Sequence, residues 1–155
     1  MKTIKRFTAI LAMASIVLVA CDAKKEKEYN LDLNDGTSVF YNSNDEDALR
    51  INGWTSFNAT NETLKGLEET DFELPMTSLE NLNDPIANLS NSIPTSLKTE
   101  EVIEDIEDVQ EEYTKLINEK NEPLDNVKQN MEELVEKFDD LREELNETVE
   151  DYITK

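Results

Sequence analysis

An apolar pattern in the last third of the chain constrains its fold more than anything else in the sequence. Leu124, Val127, Met131, Leu134, Phe138, Leu141 and Leu145 step by three and four without a miss, and Val149, Tyr152 and Ile153 continue the series. Only a helix brings residues at that spacing onto one face. Just upstream, Val102, Ile106, Val109, Tyr113 and Leu116 step four-three-four-three, with Ile103 and Ile117 widening the stripe. Thr99 is a good N-cap for this run, and Glu100 and Glu101 follow where the helix dipole favours negative charge. Leu116 and Val127 are eleven residues apart, a spacing that a continuous helix can absorb as a stutter. Pro123 decides between the two: it removes a backbone donor, disfavours helix at Glu122 and sits in a polar stretch suited to a connector. The expectation is an antiparallel hairpin of two long helices, with one kinked rod as the alternative.

Helical spacing begins earlier, at Trp54. Trp54, Phe57, Leu64 and Leu67 fall on one face, broken by Asn61. Leu79, Leu82, Ile86, Leu89 and Ile93 form another stripe that contains Pro85 and ends at Pro94. Either Asp84 caps a shorter helix with Pro85 in its first turn, or one helix kinks there. Residues 30–53 carry weaker signals: Ser38–Tyr41 and Ala48–Ile51 read as short strands around a polar turn, or as a loop lying on the helices. The expected fold class is mainly α: a small helical bundle with a long C-terminal antiparallel helical hairpin and a weakly structured N-terminal segment. Its stripes have the width that packing against one or two neighbouring helices needs, so they read as core. The alternative is an open apolar face that grips a partner, and Trp54, Phe57 and Tyr113 are the candidate interaction residues for it.

The beginning of the chain has a different layout. A basic head (Lys2, Lys5, Arg6) precedes an uncharged apolar run from Phe7 to Ala20, too short for a comfortable membrane span. It ends on Leu18-Val19-Ala20-Cys21, and Cys21 is the only cysteine. These four residues resemble the lipobox of bacterial lipoproteins. The resemblance implies that Cys21 receives a lipid, that residues 1–20 are cleaved, and that the mature chain reaches a membrane through that anchor. Residues 21–29 then read as a charged, lipidated tether, residues 30–53 as the loop or short strands, and residues 54–155 as the helical domain. Asp22 resembles an inner-membrane retention signal of enteric lipoproteins, whereas the lysines and acids after it resemble a surface-export signal. The envelope location (inner or outer membrane, periplasmic or surface-exposed) stays open.

Charge and residue usage exclude much chemistry. The formal charge is −21, and losing the three basic residues of the leader takes it to −24. A polyanion such as nucleic acid is therefore no partner. The chain has no histidine, which removes histidine-based triads, most catalytic zinc sites and haem ligation. A lipidated Cys21 leaves no thiol, and only Arg50 and Arg142 lie beyond the leader as arginines. No enzyme activity, cofactor or metal is expected. Asn30–Gly36 has the look of a calcium loop, but its glycine comes one residue late and no glutamate stands at the twelfth position. The favoured function is a structural or protein-interaction module of the cell envelope, with an unknown protein partner. A periplasmic holdase and a carboxylate-only cation binder are the alternatives.

Overall fold

The computed structural model describes residues 28–42, 45–73 and 75–154. The leader, Cys21 and most of the expected tether lie outside the described residues. Strands β1 (Glu28–Asp32), β2 (Ser38–Asn42) and β3 (Arg50–Ile51) precede helices α1 (Thr55–Glu69), α2 (Met76–Glu80), α3 (Asn83–Ala87), α4 (Glu100–Asn118) and α5 (Leu124–Thr154). Single 3-10 turns at Glu46–Ala48, Ser90–Ser92 and Thr95–Leu97 join them. The fold is mainly helical, as expected, and the long helices form the hairpin.

Cross-helix pairs fix the direction of that hairpin. Lys115 of α4 pairs with Glu133 of α5, Asp108 with Lys137 at 3.1 Å, and the Asn130 amide donates to Glu119 at 2.7 Å. As the number falls on α4 it rises on α5, so the two are antiparallel and the chain reverses just before Pro123. The proline carbonyl accepts from the Asn126 and Val127 amides at 2.9 and 3.1 Å, so the proline starts α5 and does not kink a rod. Thr99 caps α4, its hydroxyl accepting from the Val102 amide at 3.0 Å. With 31 residues at about 1.5 Å each, α5 is about 46 Å long and forms the spine of the molecule.

Both stripes are used up by packing. Val102, Ile106, Val109, Tyr113 and Leu116 of α4 are buried, as are Val127 through Val149 at the stripe positions of α5. Leu124, the first of the α5 series, is 79% exposed and is the one large apolar side chain in that state among the described residues. Helices as short as α2 and α3 do not hold themselves together. They are fastened by side-chain donors from the longer elements: Tyr113 to the Leu79 carbonyl at 2.9 Å, Gln110 to Ile86 at 2.8 Å, and the Trp54 indole to Leu89 at 3.2 Å. The Pro85 ambiguity resolves into a break: Pro85 lies in the first turn of α3, and Leu82, not Asp84, occupies the cap position.

In the N-terminal region β2 and β3 fall on the two short strands of one expected reading, and β1 adds a third, unexpected one. β1 already begins at Glu28, within the stretch read as tether, and pairs antiparallel with β2 from Glu28↔Asn42 to Asp32↔Ser38. Tyr29, Leu31 and Leu33 alternate on the face that packs on the core, while Glu28, Asn30 and Asp32 are exposed. The calcium-loop-like residues are the second half of this strand and its hairpin turn, with Gly36 at φ +84°. Only Arg50 and Ile51 of the second expected strand pair with β2. Gly53, at φ +85°, turns the chain from β3 into α1.

Candidate functional site

Cys21 lies outside the described residues. The three other residues singled out from the sequence do not form an open face. Trp54 and Phe57 are 0% exposed and Tyr113 is 5% exposed. Phe57 stacks between Trp54 and Phe138, with ring centroids 5.1 and 5.5 Å away. Tyr113 spends its hydroxyl on the Leu79 carbonyl. All three are core anchors, the first of the two readings the stripes allow, and their burial does not fit the alternative of an open gripping face; helical periodicity alone cannot distinguish a core stripe from an exposed one.

The most unusual chemistry is one that the sequence did not flag. Arg142 of α5 is 1% exposed. Its Nε donates to the side-chain Oδ1 of Asn61 on α1 at 2.7 Å, and Nη1 meets Asp139, Asp47 at 3.1 Å and Glu68 at 3.6 Å. The guanidinium lies over the Phe138 ring, 4.9 Å from its centroid. Asn61 completes the junction by donating to the carbonyls of Asp47 and Leu49 at 3.0 and 3.3 Å. One guanidinium and one amide thus tie α5, α1 and the segment before β3 together. Arg142 Nη2 and Asn146 Oδ1 are buried with no hydrogen-bond partner among the described residues.

Three carboxylates share that single cation. Burial, and next the Asp139 charge, hold the Glu68 carboxyl above the ordinary glutamate range against the pull of Arg142. Burial also holds Asp139 above its ordinary range despite the same guanidinium. The guanidinium is enclosed while its three carboxylates reach water, so Arg142 presents no donor at the surface where a ligand could meet it. Its chemistry is that of a tie between elements.

A second acidic region lies on another side of α5, where Glu144 and Glu147 follow Arg142 by two and five residues. An open cleft of about 910 Å³ is lined by Leu31, Asp32 and Asn34 from the β1–β2 hairpin and by Glu101, Glu144, Glu147 and Tyr152 from the helices, together with Ser96 and Thr99. Burial first, then Glu101 and Glu147, push the Glu144 carboxyl up. Burial and the Asp140 and Asp108 charges do the same for Asp105 one turn along α4. Next to the cleft, the β1–β2 turn is pinned to the Thr95–Leu97 turn by a reciprocal pair. Asp35 accepts from the Ser96 amide at 2.9 Å, and the Asp35 amide donates to the Ser96 hydroxyl at 3.1 Å. The Ser96 and Thr37 amides lower the Asp35 pKa to about 2.

These shifts give a pH dependence with two limbs. Glu68, Asp105, Asp139 and Glu144 bind their protons more tightly when folded. Stability is therefore gained as pH falls through their folded values and lost as it rises. Asp35 behaves oppositely: its contribution is present above the ordinary carboxylate value and is lost as pH falls toward about 2. Thermal melts followed by circular dichroism should show the midpoint rising as pH falls from neutral toward the ordinary carboxylate range and falling again below about pH 4. Asp35→Asn should flatten the acid limb only. A midpoint that falls steadily from neutral pH downward would contradict the raised carboxyls.

Among the described residues no group of three or more potential metal ligands is placed to hold an ion, and no helix is long and apolar enough to cross a membrane. Compared with known proteins, the chain matches no family model, no curated protein and no solved structure.

Proposed function

We propose that this chain is a bacterial lipoprotein, lipidated at Cys21, whose acidic helical domain serves as a structural or protein-interaction module of the cell envelope. The observation that carries this reading is the joining of a lipobox-like Leu18-Val19-Ala20-Cys21 to a closed acidic domain by a very short connection. β1 begins at Glu28, seven residues after Cys21, so the connection reaches at most about 25 Å along any path. A lipid on Cys21 would keep the domain against the bilayer surface. The domain itself is repelled by anionic headgroups, and Leu124 is the only large apolar side chain it exposes among the described residues. Stable attachment therefore falls to the acyl chains, more than one of which suffices. A holdase would need an open apolar face, and the aromatic residues on which one would be built are buried.

Processing tests this directly. In cells fed a labelled fatty acid, the wild-type protein should carry label and partition into the detergent phase. Cys21→Ser should lose the label and accumulate as the longer precursor or as soluble protein. Unchanged labelling and partitioning of Cys21→Ser would overturn the lipoprotein reading.

A further inference from the structure

The two edges of the small sheet are treated differently. In an antiparallel ladder, hydrogen-bonded and non-bonded residue pairs alternate. The Leu33 amide donates to Thr37 at 2.8 Å and the Asn52 amide to Ser38 at 2.9 Å, which sets the phase of both ladders. Ile51 of β3 therefore turns its amide and carbonyl outward, and both are taken by one side chain. Asn58 Oδ1 accepts from the Ile51 amide at 3.1 Å, and Asn58 Nδ2 donates to the Ile51 carbonyl at 2.8 Å. A side-chain amide here mimics the next strand and closes that edge.

Among the described residues β1 has no such plug. By the same phase Tyr29 and Leu31 bond to β2, while the backbone groups of Glu28, Asn30 and Asp32 point away from the sheet. Among the described residues none of these outward groups has a hydrogen-bond partner. An unprotected edge is a template for strand addition. The acidic cleft opens on this outer side, since β1 lines it and β2 does not.

We propose that the free edge of β1 accepts an extended, lysine- or arginine-bearing segment of a partner protein as a fourth strand. Main-chain hydrogen bonds to Glu28, Asn30 and Asp32 would supply the pairing. Alternate basic side chains would lie over Glu101, Glu144 and Glu147, which have no basic residue beside them among the described residues that line the cleft. Charge selects this occupant over a second copy of the chain. Two β1 edges would bring Glu28 and Asp32 of each copy, and both clefts, against one another on molecules of formal charge −21. Docking of this kind presupposes an interaction module but not lipidation of Cys21, so the two readings can fail separately.

The test is amide hydrogen exchange, read residue by residue by NMR on the full chain in neutral detergent micelles. The probe is a capped decapeptide of alternating lysine and threonine, residues suited to an exposed strand. The Asn30 and Asp32 amides should exchange freely without peptide and slow by at least about tenfold with it. A fully N-methylated peptide of the same charge should protect neither. Asn30→Pro, which removes an outward N–H and leaves the inner ladder intact, should weaken binding of the unmethylated peptide by about tenfold or more. Equal protection by the methylated peptide would reduce the effect to charge alone and overturn the proposal, as would no protection by either. Protection already present without peptide would also overturn it, with a second copy on the edge if it grows with concentration and the chain's own segment there if it does not.

Discussion

Arg142→Ala should destabilise the domain by about 2–4 kcal/mol in urea unfolding. Most of that cost is not a lost salt bridge. Asp47, Glu68 and Asp139 have side chains that are 39%, 35% and 49% exposed, so water screens their pairing with the guanidinium and takes them back when it is gone. The larger parts are the buried volume vacated under Phe138 and the Asn61 oxygen left without its donor, about 1–3 kcal/mol for such an acceptor. Arg142→Lys separates the contributions. It keeps the charge and most of the stem but cannot reproduce the Nε bond to Asn61 while reaching three carboxylates. It should recover part of the loss, and a double-mutant cycle with Asn61→Ala should give a coupling of about 1 kcal/mol or more. A loss below about 0.5 kcal/mol for Arg142→Ala would mean that the junction does not form as described.

Leu134→Ala should cost roughly 2–4 kcal/mol, because Leu134 is 0% exposed at the middle of α5 where the surrounding helices cannot close over a void. Leu124→Ala makes the matched control. It removes the same atoms from the same helix, but from a side chain that is 79% exposed, and should change stability by less than about 0.5 kcal/mol. Equal effects at the two positions would show that the α5 stripe is not packed against α4 as the hairpin requires.

The contrast between those leucines also marks how far the sequence can be read. Periodicity identifies both as members of one helical series, and it places α4, α5 and the Thr99 cap correctly, because these features are set within one or two turns. What it lacks is the partner. Leu124 and Leu134 are indistinguishable until α4 is laid beside α5 and is found to stop short of the first turn. The same blindness hid the Arg142 junction. Asn61 interrupts the apolar face of α1 and reads as a local defect, while Arg142 follows Leu141, leaves the α5 stripe unbroken and reads as one more charge on the helix. They explain one another only when a bond spanning 81 residues joins them. β1 was hidden for a different reason. Its alternation of Tyr29, Leu31 and Leu33 was present, but the charged residues between them also fit a tether, and two-residue periodicity over five residues competes poorly with that signal. Asn58, which closes the other edge, carries no sequence mark that separates it from the asparagines around it.

The way the sheet is fastened has a consequence for the order in which the molecule can assemble. Tyr41 of β2 donates to Glu150 in the last turns of α5, a bond between residues 109 apart in the chain. Asp35 is held by Ser96 and Tyr152 by the Ser96 carbonyl, so the earliest strands rest on the latest residues. Synthesis from the N-terminus delivers β1 and β2 long before their support exists, whereas α4 and α5 are neighbours in sequence and can zip together from their own turn, with little loop entropy to overcome. Contacts local in the sequence are therefore expected to form first, the helical hairpin before the first strands are seated on it. A chain that stopped a few turns before Glu150 could still form a helical hairpin, but its sheet would have no floor.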